Sequence, residues 1–97
     1  MIYKILSSSE QLSGTPSTIS DANRVLIQHN AGDTTPVPHL ITVKSDAGAA
    51  PEGAGVAVVG TFWVHPGQDI VIEKYKLYTI EVDSGTEVYA TYVGVTG

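Results

Sequence analysis

Ninety-seven residues make one domain with a modest core, because a chain this short buries only about 60–68% of the surface its unfolded form exposes. Five Lys and Arg stand against ten Asp and Glu, a net charge of −5. That balance argues against nucleic acid, whose phosphates need clustered basic side chains, and against an anionic membrane surface. With no cysteine, the chain has neither a disulfide framework nor a Cys-based zinc site.

Charged residues are 15% of the chain, against about 25% in an ordinary soluble domain. Ser, Thr, Gly, Ala and Val fill the gap. A surface this neutral suits either a small Thr- and Val-rich β domain or a protein that lives in an assembly. No apolar run approaches the roughly 18 residues of a membrane span. The start, Met1 to Ser9, has one lysine and too short an apolar stretch for a signal peptide. The chain is expected to be used in the cytosol, or assembled there into something larger.

In chain order, residues 2–6 read as a short first strand or an arm, and residues 1–22 as an N-terminal arm or loop. Ser7 to Ser20, rich in Ser and Thr with Gly14 and Pro16, reads as an extended loop with at most one weak strand, too polar to supply core. Asn23 to His29 is a strand, with Val25, Ile27 and His29 on one face and Arg24, Leu26 and Gln28 on the other. Pro36 and Pro38 exclude the middle of a strand by removing two ladder donors. His39 to Lys44 is the next strand, with Ile41 and Val43 pointing one way. Residues 47–55, all Ala, Gly, Pro and Glu, cannot bury enough side chain to order themselves and read as a surface loop within one domain.

From Val56 the alternation is clean. Val56, Val58, Gly60, Phe62 and Val64 share one face; Ala57, Val59, Thr61, Trp63 and His65 share the other. Pro66-Gly67 fits the centre of a type II turn, since Pro presets the first φ and Gly accepts the positive second one. This predicts a hairpin of Phe62–Val64 with Ile70–Ile72. A second hairpin is expected from Leu77–Val82 and Glu87–Val93 around residues 83–86, with Gly85 suited to a left-handed position. Tyr78, Ile80 and Val82 should share a face, as should Val88, Ala90 and Tyr92. Turn signals recur roughly every 8–12 residues, and no helical apolar stripe is present. The fold class is therefore all-β: an antiparallel β-sandwich or small β-barrel of about seven or eight short strands, as a single domain over residues 1–97.

Site chemistry is sparse. The three histidines, His29, His39 and His65, lie at strand ends or beside turns without the close spacing of a metal motif, and read as half-exposed edge residues. No Gly-x-Ser-x-Gly elbow presents a serine nucleophile. Glu73, Glu81 and Glu87 fall at solvent-facing strand positions rather than as a catalytic carboxylate pair. Asp33, Asp46 and Glu52 lie in loops without the Asp-x-Asp-x-Asp-Gly run of a calcium site. The expectation is a non-enzyme with no cofactor and no metal. Aromatic side chains are the best binding candidates: Trp63 with Tyr75, Tyr78, Tyr89 and Tyr92, of which Tyr92 reads as core. The partner-binding set is Trp63, Tyr3, Ile5, Tyr75, Tyr89 and Pro51. The 47–55 loop is either slack or an arm that orders on a partner. So few lysines leave sheet edges poorly guarded, so an edge strand or residues 1–6 should be paired or covered by another chain.

Five segments carry a resemblance: Met1-Ile-Tyr-Lys4, Arg24-Val-Leu-Ile-Gln-His-Asn30, Ile41-Thr-Val43, Pro66-Gly-Gln-Asp-Ile-Val-Ile-Glu-Lys74 and Val88-Tyr-Ala-Thr-Tyr-Val93. Together they resemble small virion proteins of tailed bacteriophages, notably those of marine and cyanobacterial hosts. Residues 33–55 depart from that pattern. The resemblance implies a structural protein of the virion, a capsid decoration or cement protein. Such a protein would bind the major capsid protein and copies of itself as a homo-oligomer on the phage head, after assembly in the host cytoplasm. Neck, tail and baseplate positions belong to the same class. A carbohydrate-binding β-sandwich module using Trp63 and neighbouring tyrosines is the alternative.

Overall fold

The computed structural model describes residues 2–30, 37–45, 58–83 and 88–96. Eight strands follow in chain order: β1 (Ile2–Ile5), β2 (Glu10–Gln11), β3 (Arg24–His29), β4 (His39–Lys44), β5 (Val58–Val64), β6 (Asp69–Glu73), β7 (Thr79–Val82) and β8 (Val88–Thr96). They form a two-layer antiparallel β-sandwich, and no helix occurs among the described residues. The larger sheet runs β1-β8-β3-β6, with β2 also paired to β8; the smaller runs β5-β4-β7.

The apolar alternation sets the core. Val25 and Ile27 of β3, Ile41 of β4, Val64 of β5, Ile80 and Val82 of β7, and Val88 and Ala90 of β8 are all buried in one cluster, with Val43, Phe62, Ile70, Ile72 and Tyr92 packed against it. Strands β3, β4, β5, β6, β7 and β8 thus turn one alternating set inward, while β1 and β2 supply no core residue. Tyr92 is core-packed, as its position implied.

Both expected hairpins are corrected. The Pro66-Gly67 turn is present: Gly67 has φ 77° and the Gln68 N–H donates to the His65 carbonyl at 3.0 Å. Yet β5 pairs with β4 and β6 pairs with β3, so the turn carries the chain from one sheet to the other. Likewise β7 pairs with β4 while β8 pairs with β3, β1 and β2. A tight turn specifies that the chain reverses, not that the flanking strands share a sheet. Here the turn carries the chain across the sandwich, and each strand finds its ladder partners within the sheet it enters. The neighbours in sequence that do lie side by side are β4 and β5, joined through residues 45–57. A bulge at Val43/Lys44 leaves Val59 as the extra residue on β5. Val58 beyond it is exposed, although the simple alternation puts it with Phe62 and Val64.

The Ser- and Thr-rich segment does more than the sequence implies. Its one weak strand is β2, but Leu12 and Ile19 are fully buried in the core cluster, a correction to its reading as too polar to supply core. After β2 leaves β8, Ser13 and Ser17 accept from and pair with β7: the Val82 N–H donates to Ser13 O at 3.0 Å, and Ser17 and Ile80 exchange bonds of 2.8 and 3.1 Å. The segment thus ties the larger sheet to the smaller along the β8–β7 side. Its end is a left-handed turn, with φ 53°, 57° and 56° at Ile19, Ser20 and Asp21. That backbone region costs a non-glycine residue about 1–2 kcal/mol. The burial of Ile19 and Ala22 and the Ala22 N–H bond to the Ile19 carbonyl (3.1 Å) offset the strain.

The histidines are a further correction. His29 and His39 are buried, not half-exposed; only His65 sits in the open among the three. Their rings stack at 5.2 Å across the two sheets. His29 Nε2–H donates to the Val37 carbonyl at 2.7 Å, and His39 Nδ1 meets the Asp83 carboxylate at 3.2 Å. These local partners offset part of the cost of burying the rings, while His29 Nδ1 is buried with no hydrogen-bond partner among the described residues.

Candidate functional site

The β8–β7 side of the sandwich is closed by the N-terminal segment, while the β5 and β6 edges carry no further strand among the described residues. At that open side, where β3 begins and β6 ends, a pocket of about 490 Å³ opens. Val43 and Val59 line it from the smaller sheet, and Tyr75 and Tyr78 from the β6–β7 connection. Asn23, Arg24 and Glu73 supply its polar wall. Arg24 and Glu73 are directly opposite on β3 and β6, and the Arg24 Nη2 donates to Glu73 Oε1 at 2.8 Å.

Lys74 fixes this corner. Its Nζ donates to the carbonyls of Ala22 (2.6 Å), Lys76 (3.1 Å) and Tyr75 (3.3 Å), clamping the β6–β7 connection to the left-handed turn at 19–21. Burial pushes its pKa down to about 8, against the opposing pull of the Asp21 carboxylate. The Tyr78 N–H donates to the Tyr75 carbonyl at 3.1 Å, closing a turn. The two tyrosine rings meet edge to face, 5.0 Å apart at 76°.

The expected partner-binding residues do not converge on one site. Tyr3 and Ile5 stand on β1 opposite Val95 and Val93 of β8, and both are exposed. Strand alternation puts them on the outer face of the larger sheet together with half-buried Tyr89. Leu26 and Val71, paired with each other, share that face, so it carries an apolar stripe from Tyr3 to Val71. Trp63 is 55% exposed near the end of β5, opposite Leu40. It stands four residues from pocket-lining Val59, about 13 Å along the strand. Tyr75, 74% exposed, is in the pocket. Trp63 and Tyr75 thus do not share a platform. Pro51, the loop 47–55, Glu87, Asp33, Asp46 and Glu52 lie outside the described residues. Glu73 is exposed as expected, whereas Glu81 is mostly covered beside Lys44, at 2.5 Å.

Of the polar pocket residues, Asn23, Arg24 and Lys74 were not candidates in the sequence, and Glu73 read only as a solvent-facing strand position. Arg24 and Glu73 meet across 49 positions, which no local pattern reveals. Among the described residues no group of three or more His, Asp or Glu side chains is placed to hold a metal ion. No family model, curated protein or solved structure matches the chain.

Proposed function

We propose that the chain is a structural virion protein: a capsid decoration protein that stabilises a phage head by binding the major capsid protein and copies of itself. The observation that carries this reading is the ribbon formed by β1 with the last residues of β8. Residues 93–96 of β8 extend past its pairing with β3, which ends at Tyr92, and pair with β1 alone. Ile2, Tyr3, Ile5, Leu6 and Val95 are all exposed there side by side, and a contiguous apolar patch, unlike a single exposed residue, marks an interaction surface. The low charge and the phage-like segments of the sequence support the same reading. A neutral, apolar surface gains free energy by leaving water against a partner, and Asp or Glu there would oppose it.

The test is to mix the purified protein with heads lacking it and to sediment them. Saturable binding to heads, with raised resistance of those heads to heat, is the expected result. A protein that stays monomeric and leaves heads unbound overturns the proposal. Binding to neck, tail or baseplate particles in place of heads overturns the decoration role and moves the protein elsewhere in the virion.

A further inference from the structure

The geometry points to the corner pocket as a binding site for a neutral sugar ring, with Tyr75 as its stacking platform. The site is separate from the β1–β8 ribbon and does not rest on the decoration role.

Three observations carry it. First, Tyr75 is exposed yet held: the Tyr78 ring packs against its side, and its carbonyl accepts from both the Tyr78 N–H and Lys74 Nζ. A surface aromatic fixed in this way loses little freedom when a ligand covers it, and its face suits the C–H face of a pyranose. Second, the polar wall offers donors and acceptors together. The single bond between Arg24 Nη2 and Glu73 Oε1 leaves further guanidinium N–H groups and the second carboxylate oxygen, and the Asn23 amide adds both kinds. Hydroxyls, which donate and accept, match such a wall. Third, the charges exclude the commoner ligands. A phosphate would meet Glu73 on a chain of net charge −5, and a cation would meet Arg24. Lys74 is committed to three backbone carbonyls. The volume, about 490 Å³, falls in the range of small-molecule sites and holds one or two rings. Val43 and Val59 give the apolar floor.

The experiment is a titration of the isotope-labelled protein with glucose, galactose, N-acetylglucosamine and their disaccharides, followed through backbone amide shifts. Each sugar is taken to ~20 mM, above the millimolar affinity expected of a shallow site. The expected result is that at least one sugar shifts the amides of Asn23, Tyr75 and Tyr78. Tyr75→Ala then weakens binding roughly three- to tenfold, as loss of one stacking contact implies. Glu73→Gln, which keeps the shape of the wall, weakens it as well and covers the case in which Tyr75→Ala disturbs Tyr78. If no sugar moves these amides, the site is not a sugar site. If the shifts survive both substitutions, or cluster around Trp63 and disappear in Trp63→Ala, the assignment to this pocket is wrong.

Discussion

Lys74 is the residue on which the open corner depends. One ammonium bonds three carbonyls and joins the start of β3, through the turn at 19–21, to the connection that carries Tyr75. Burial lowers its pKa from 10.5 to about 8. Between those values the unfolded chain holds the proton and the folded chain releases it. Because the unfolded state binds more protons, stability rises with pH across that window and is flat below it. Lys74 is only partly buried, so solvent screening makes the effect smaller than the full shift implies. Lys74→Met removes the titration and also leaves the Ala22 carbonyl without that donor, so it should lower stability at pH 7 by about 1–2 kcal/mol. Urea unfolding of both proteins from pH 7 to 10 checks this. The wild-type minus Lys74→Met difference should widen above pH 8; a constant or narrowing difference shows that burial does not govern this lysine.

At the scale of elements, strands and their inward faces were legible, and their partners were not. The alternation Val25-x-Ile27 and Ile80-x-Val82 put the right apolar side chains inside. Pro66-Gly67 announced a reversal that exists, with Gly67 at positive φ. Nothing local distinguishes a reversal within a sheet from one between sheets, so both hairpins were misassigned. Leu12 and Ile19 were missed because single apolar residues in a polar segment carry no period. The same topology leaves β5 as an edge strand with no charged residue and with Val58, Val59 and Trp63 exposed. Such an edge invites another strand. Copies of this chain should therefore associate through β5 at high concentration. Thr61→Lys, an exposed mid-strand change, should abolish that association while altering stability by no more than about 0.5 kcal/mol. Light scattering across a dilution series decides; equal association of the two proteins removes β5 from the contact.

At the scale of the whole molecule, the body is a slab of 44 × 35 × 18 Å with two separate apolar features, the β5 edge and the β1–β8 ribbon. The ribbon's exposed side chains are distinct from the core: none of the clustered core residues comes from β1 and Val95 is outside the cluster, whereas Val93 of β8 is fully buried and belongs to the folded body. A substitution on the ribbon should therefore spare folding and strike binding. Ile5, 60% exposed and opposite Val93, is the position to test. Covering an isoleucine side chain against a partner is worth about 1.5–3 kcal/mol, so Ile5→Lys should weaken attachment to heads by roughly ten- to a hundredfold. Its amide spectrum should otherwise match the wild type, with differences confined to β1 and the last turn of pairing on β8. The β5 association should persist in Ile5→Lys, just as head binding by a single copy should persist in Thr61→Lys. Head binding by Ile5→Lys at wild-type strength would mean that the ribbon is free in the assembled particle and that the contact face is elsewhere.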